Sequence, residues 1–182
     1  MTDATSPAGP HRASWRFMGA HPLRWIAYGF GSGLSPVAPG TAGTLFAWAS
    51  FLLLDPWLAR WPLAWPVLLA AGLAVGWWAC TATARAMRVA DPGAIVWDEV
   101  LAFWAVLWLV MPVGWLGQLI AFALFRAFDA AKPGPVAWAD RAFKGEPGQA
   151  PGWRQGWGIL FDDLVAAGCA LVVYALGRRL WG

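Results

Sequence analysis

Five carboxylates lie at the ends of long apolar runs, where removing a charge from water is costly. They are Asp98, Glu99, Asp129, Asp162 and Asp163, and they make up half of the ten acidic residues in the 182-residue chain. A carboxylate in such surroundings needs a cation, either a basic side chain or a metal ion. The set contains no histidine or cysteine, and oxygen ligands suit Mg²⁺ better than zinc. We therefore predict that the acids form one Mg²⁺ site.

Two cations and a glycine-rich loop could hold an anion beside these acids. Arg126 and Lys132 each lie three residues from Asp129, and an arginine can bind a phosphate through two parallel hydrogen bonds. The loop at 28–45 is rich in glycine and leads into an apolar run. Amide groups at the start of the following helix suit a phosphate. The candidate phosphate-binding residues are therefore Arg126, Lys132, Gly40, Thr41 and Thr44.

Each of these features also has a purely structural explanation. An acidic pair such as Asp98–Glu99 or Asp162–Asp163 can stabilise a helix N-terminus through the macrodipole. Asp129 can form a plain salt-bridge triad with its two basic neighbours, and the loop at 28–45 can be a flexible connection. Adjacent residues on a helix point about 100° apart, so the member of each pair that would contact a metal stays open.

The composition of the chain indicates a protein embedded in a lipid bilayer. Hydrophobic residues make up 59% of the chain and charged residues 13%, against about 45–50% and about 25% in soluble domains. The sixteen tryptophans agree, since this residue favours the membrane–water interface. No motif for nucleic-acid binding is present, so no nucleic-acid partner is expected. Cys80 and Cys169 lie in apolar segments and are predicted to be inert thiols.

Apolar stretches that lack strand alternation predict an all-α bundle embedded in a membrane. As one helix, the run 100–125 would be about 39 Å long, which exceeds the roughly 30 Å hydrocarbon core. The Pro112–Gly114 segment breaks that run near its middle, so we predict a central helical hairpin. The five main helices then cover 42–55, 62–88, 95–111, 114–131 and 157–180.

Alternating directions for these five helices bring all the acids to one end of the bundle. Ten of the thirteen lysines and arginines fall at the same end, which the positive-inside rule places in the cytoplasm. We therefore predict a multi-pass protein of the cell inner membrane with its site on the cytoplasmic side. Residues 1–24 are predicted to be a flexible segment before a single helical domain at 25–182.

Four segments in this order resemble the phosphatidylglycerophosphatase A family: GSGLSPVAPGTAGTL, GAIVWDEV, FRAFDAAKPGPV and GWGILFDDLVAAG. The resemblance covers residues 24–181. It implies a membrane-embedded, Mg²⁺-dependent lipid phosphatase of phospholipid biosynthesis, which converts phosphatidylglycerophosphate to phosphatidylglycerol. It also implies metal ligation by the five acids and catalytic roles for Asp98, Asp129, Lys132, Asp162 and Asp163. Whether water or an aspartate attacks the phosphate stays open.

The chain departs from the family pattern at a few positions. Ala42 replaces an aromatic residue, and an insertion occupies 145–155. Four further charged residues are predicted to be solvated loop charges, namely Asp91, Asp140, Lys144 and Glu146. His11 and His21 are given no catalytic role.

The alternative function is a non-enzymatic membrane protein, such as a subunit of a cation-linked transporter. Acids within a membrane fit that function too. The depth of the acids distinguishes the two hypotheses, because acids at helix ends favour surface chemistry and acids at helix centres favour transport.

Overall fold

The computed structural model describes residues 12–144 and 150–181, and all regular structure in this part of the chain is helical. The helices are α1 (Trp15–Gly19), α2 (Pro22–Ala27), the 3₁₀ helix η1 (Gly29–Leu34), α3 (Pro39–Leu58), α4 (Ala64–Met87), α5 (Trp97–Val110), α6 (Trp115–Ala131), α7 (Pro135–Ala142) and α8 (Trp153–Trp181). The prediction of an all-α fold is confirmed. The described residues form nine helices, whereas we predicted about five main ones.

The five longest helices overlap the predicted ranges, and they differ mainly in where they begin. The apolar run that starts after Glu99 is divided as predicted, because α5 ends at Val110 and α6 begins at Trp115. Helix α3 begins three residues earlier than predicted, with Pro39 in its first turn, a position that tolerates the missing N–H. Helix α8 begins at Trp153 and is four residues longer at its start than predicted.

Helix α1 and the first half of α2 lie in the segment 1–24 that we predicted to be flexible. Helix α1 is capped by Ser14, whose Oγ accepts a hydrogen bond from the Phe17 N–H at 3.1 Å. Met18 of α1 and Leu23 of α2 are buried against the bundle. Most of residues 15–24 are therefore helical, although most of their side chains are exposed, and the flexibility of the segment stays a prediction. Residues 1–11 lie outside the described residues.

Helix α5 is the centre of the bundle and packs against α3, α4, α6 and α8. Nine of its fourteen residues are buried. Trp97 donates a hydrogen bond to the Gly72 carbonyl at 3.0 Å, and its ring packs on Gly76, where any side chain would collide with it. These contacts fix the rotation of α5 and therefore the direction of Asp98 and Glu99, which follow Trp97.

The outer surface of the bundle carries many exposed apolar side chains. The most exposed of these lie near helix ends and include Trp57, Trp61, Leu63, Trp115 and Leu180. Two helices, Ala64–Met87 and Trp153–Leu180, are long and apolar enough to cross a membrane, judged by length and composition alone.

Candidate functional site

Three helices bring the predicted acids into one cavity of about 340 Å³. Asp98 and Glu99 lie in the first turn of α5, and Asp129 lies in the last turn of α6. Asp162 and Asp163 lie nine and ten residues after the start of α8. All five acids and Lys132 line the cavity. The convergence predicted from the break in the apolar run is therefore present in the structure.

Three of these acids form a compact cluster, which we call the acid triad: Asp98, Glu99 and Asp163. One carboxylate oxygen from each lies within 4.8 Å of the others. The oxygens Asp98 Oδ1, Glu99 Oε2 and Asp163 Oδ2 are buried and have no hydrogen-bond partner. Buried carboxylates that repel one another and lack donors are strongly destabilising when they are all ionised, unless a cation lies between them.

The donor set of the acid triad fits a hard divalent cation. It offers only carboxylate oxygens, which are the ligands that Mg²⁺ and Ca²⁺ prefer. Asp129 lies near enough to interact electrostatically with Asp163 and Glu99. The buried, unpartnered oxygens are what a cation site would require, and a salt-bridge network would instead have supplied donors to them.

The two neighbouring aspartates of α8 have different partners. Asp163 belongs to the acid triad, whereas Asp162 Oδ2 accepts a hydrogen bond from Lys132 Nζ at 2.5 Å. In the first turn of α5, both Asp98 and Glu99 direct an oxygen into the triad. The helix-capping explanation does not account for Asp162 and Asp163, because they lie well inside α8.

Arg126 joins the acids to the start of α3. Its guanidinium forms an ion pair with Asp129, lies 4.0 Å from Glu99 Oε1, and donates to Thr44 Oγ1 at 3.4 Å. A side chain at Gly40 would collide with the Glu99 carboxylate and crowd Arg126, so only glycine allows this approach. Four of the predicted phosphate-binding residues are not among the described residues that line the cavity: Arg126, Gly40, Thr41 and Thr44.

Lys132 ends α6 with a left-handed backbone conformation, with φ at 44°. Its ammonium donates to Asp162 Oδ2 and to Asp140 Oδ1, both at 2.5 Å. Desolvation opposes the charge, but these two carboxylates outweigh it and raise the pKa of Lys132 above its ordinary value. The predicted triad of Arg126, Asp129 and Lys132 is therefore divided, since the lysine turns to other carboxylates.

Asp140 is not the solvated loop charge that we predicted, whereas Lys144 is, as predicted, an exposed residue in the loop after α7. Asp140 lies on α7 with a side chain that is 14% exposed, and its Oδ2 lies 2.5 Å from Lys144 Nζ. Burial opposes ionisation, but hydrogen bonds from Lys132 and Lys144 lower the pKa of Asp140. Both residues line the cavity, as does the exposed Asp91. The i,i+4 spacing of Asp140 and Lys144 is a sequence signal for an ion pair, whereas the contact of Asp140 with Lys132 depends on the fold.

Glu146 and part of the predicted insertion at 145–155 lie outside the described residues.

Comparison with known proteins gives a consistent result. Residues 25–178 match the family model described as phosphatidylglycerophosphatase A. The phosphatidylglycerophosphatase A of Escherichia coli is 35% identical over 92% of this chain and 90% of its own length. That of Haemophilus influenzae is 35% identical over 84% and 86%. A Bacteroides thetaiotaomicron protein, provisionally named a phosphatidylinositol-3-phosphatase, is 37% identical over 86% and 94%. No solved structure matches the chain.

Proposed function

The chain belongs to the phosphatidylglycerophosphatase A family, and on this premise we propose that it hydrolyses the terminal phosphate monoester of phosphatidylglycerophosphate. It is a phosphatase, and the products would be phosphatidylglycerol and inorganic phosphate. The observation that carries the proposal is the cavity in which the buried acid triad lies close to the Lys132 ammonium. That arrangement offers a cation site and a phosphate-binding cation side by side.

We propose Mg²⁺ as the cofactor, held by Asp98, Glu99 and Asp163 with Asp129 beside them. When bound, the ion would neutralise negative charge on the phosphate and so ease the approach of a nucleophile. The support is the all-oxygen donor set and the three buried oxygens without partners. Asp162 would act mainly by orienting Lys132, because it already accepts a hydrogen bond from that ammonium.

The chain's own residues would bind and orient the phosphate. Lys132 would donate to a phosphoryl oxygen from its position at the cavity wall, and its raised pKa keeps it charged at neutral pH. Arg126 would hold Glu99 and Asp129 in place through its ion pairs. Thr44 and the start of α3 would support that guanidinium from behind, and Gly40 would leave room for it.

Hydrolysis breaks the bond between phosphorus and the terminal ester oxygen of the glycerol head group. A water molecule supplies the new oxygen on phosphorus, and a proton passes to the leaving alcohol oxygen. We propose Asp129 as the acceptor of the proton of an attacking water, because it lines the cavity outside the acid triad and, unlike Asp140 and Asp162, does not accept a hydrogen bond from Lys132. Direct attack by an aspartate remains the competing mechanism, and it would leave a phosphorylated enzyme.

We further propose that the bundle spans the cell inner membrane several times, with the cavity on the cytoplasmic side. The support is the pair of long apolar helices and the apolar outer surface. Most basic residues also fall on the cavity side of the bundle, while Arg60 follows α3 and both Arg178 and Arg179 lie in the last turn of α8, at the opposite side. The lipid tails would then remain in the bilayer while the head group enters the cavity.

The test is phosphate release by the purified protein in detergent micelles. We expect rapid release from phosphatidylglycerophosphate and much slower release from phosphatidylinositol 3-phosphate, the alternative suggested by the name of the Bacteroides relative. Faster cleavage of the inositol lipid would overturn the proposed substrate. Activity should disappear in EDTA and return with Mg²⁺, and full activity in EDTA would refute the metal requirement.

A further inference from the structure

Two lysines at the cavity share one carboxylate. Lys132 Nζ lies 2.5 Å from Asp140 Oδ1, and Lys144 Nζ lies 2.5 Å from Asp140 Oδ2. Because each ammonium contacts a different oxygen of the same group, the two positive charges are close neighbours. Both lysines line the cavity that contains the acid triad.

The two lysines differ in their access to solvent. The Lys132 side chain is 32% exposed and is also tied to Asp162, whereas the Lys144 side chain is 60% exposed. An ammonium has three donor hydrogens, and Asp140 accepts one of those on Lys144. Lys144 can therefore donate to a ligand at the outer part of the cavity without leaving Asp140.

The ordinary explanation for Lys144 is a surface ion pair at i,i+4 spacing, which contributes little to stability. That explanation does not account for Asp140, whose side chain is 14% exposed and which joins Lys144 to a lysine beside the acid triad. Asp140 and Asp162 together offset the two ammonium charges, but the two ammonium groups still lie side by side with donor hydrogens to spare, which suits an anion with two negative groups.

The proposed substrate has such a pair of groups. Its terminal phosphate is a monoester, and a three-carbon glycerol joins this phosphate to the phosphodiester that carries the lipid. If the monoester lies beside Lys132 and the acid triad, the phosphodiester must lie a short distance outward. Phosphatidate lacks this second group, because its single phosphate is joined directly to diacylglycerol.

We propose that Lys144, held beside Lys132 by Asp140, binds the phosphodiester and so selects lipids with two phosphate groups over lipids with one. This inference rests on the proposed function and adds a specificity residue to it. Lys144 acts on binding of the head group, and the reacting phosphate is left to Lys132 and the acids.

The test compares phosphatidylglycerophosphate with phosphatidate in the same mixed micelles. We expect Lys144→Gln to raise KM for phosphatidylglycerophosphate about tenfold, the loss of one exposed charge-assisted contact, with kcat nearly unchanged. The rate for phosphatidate should be unaffected, and Lys144→Arg should retain the preference. The matched control is Arg141→Gln, which removes the same charge from an exposed position on α7 and should leave both substrates unchanged.

The outcomes separate this inference from the function on which it rests. If the wild-type protein is active but Lys144→Gln and Lys144→Met leave the ratio of the two substrates unchanged, the inference is wrong. An equal loss with both substrates would also overturn it, since that result indicates a general structural effect. A wild-type protein that cleaves neither lipid would refute the proposed function itself.

Discussion

At the scale of single residues, neighbouring acids acquire different roles from their surroundings. Asp162 and Asp163 are 7% and 3% exposed, so neither can rely on water to stabilise its charge. Asp162 is stabilised by Lys132, and Asp163 shares the acid triad with no donor for its buried oxygen. Asp162 is therefore paired with a cation that the chain supplies, whereas Asp163 would be paired with the proposed metal ion.

The first prediction concerns Asp163. Asp163→Asn should lower kcat at least about a hundredfold, because it removes one ligand from the proposed ion. Without metal, the same variant should be more stable by about 1 kcal/mol, or roughly 2–4 °C in Tm, because it relieves repulsion within the triad. Phosphate release measures the first effect, and thermal unfolding with and without Mg²⁺ measures the second. Asp55→Asn, which lies outside the cavity lining, is the control and should leave the Mg²⁺ response intact.

The second prediction concerns the pair of Lys132 and Asp162. Lys132→Met leaves a nearly buried carboxylate without its donor and should cost roughly 1–3 kcal/mol in the free energy of unfolding. Adding Asp162→Asn should recover much of that loss, since no charge is then left unpaired. Activity should stay absent in the double variant. Recovery of activity together with stability would show that Lys132 has no direct part in catalysis.

The sequence was sufficient to select the acids but not to assign their partners. Acids beside apolar runs are informative because burial of a charge is costly, and this reasoning found five of the seven acids that line the cavity, missing Asp91 and Asp140. Asp140 escaped it because α7, with the sequence PVAWADRA, is too short to contain a long apolar run. Its contact with Lys132 exists only because the chain turns back after the left-handed Lys132.

At the scale of elements, the position of α8 determines where two of the acids lie. Gly156 of α8 packs directly on Thr81 of α4, and a side chain there would overlap the Thr81 hydroxyl. Nearby, Trp77 Nε1 donates to the Trp153 carbonyl at 2.7 Å, and Arg85 Nε donates to the Pro151 carbonyl at 2.8 Å. These contacts fix the start of α8 relative to α4. They therefore also fix how far along the bundle Asp162 and Asp163 lie.

The third prediction uses two glycines of the same helix as a matched pair. Gly156→Ala should destabilise the protein by about 1–3 kcal/mol through overpacking, and should reduce activity by displacing the acids of α8. Gly168→Ala has open space around it and should stabilise the helix by roughly 0.5–1 kcal/mol with activity unchanged. Thermal unfolding and phosphate release, measured on both variants, check the pair. Equal effects of the two substitutions would contradict the close packing of α8 on α4.

The long helices could be predicted because each corresponds to an apolar run, and the break at Pro112–Gly114 follows from helix chemistry. Their ends could be predicted less well. Helix α8 extends back to Trp153 across a stretch with two glycines and polar side chains, because α4 supplies contacts that propensity does not include. The short helices α1, α2 and α7 had no apolar run of sufficient length to reveal them.

At the scale of the whole molecule, exposed tryptophans lie at both ends of the bundle. Trp57, Trp61 and Trp115 lie where helices begin or end away from the acids, while Trp138 and Trp153 lie on the helices beside the cavity. Aromatic residues at both ends of an apolar bundle are typical of a protein that spans a bilayer.

The fourth prediction tests the proposed position of the cavity on the cytoplasmic side of the membrane. Single cysteines are labelled in a Cys169→Ala background, in which the remaining Cys80 is fully buried. A membrane-impermeant maleimide should label Arg60→Cys in intact spheroplasts. It should label Arg141→Cys only after the membrane is permeabilised, because α7 lies beside the cavity. Labelling of Arg141→Cys from outside would place the cavity on the opposite face of the membrane.

The bundle has an apolar outer surface and a cavity at one end, and this arrangement would affect the kinetics of a membrane enzyme. An enzyme embedded in the same bilayer as its substrate meets that substrate by lateral diffusion. The relevant concentration is then the fraction of lipid molecules that are substrate. Adding inert detergent or lipid at constant bulk substrate should therefore slow the reaction, as if the substrate had been diluted. The product would also remain in the leaflet where it was formed, available to other membrane proteins without crossing water.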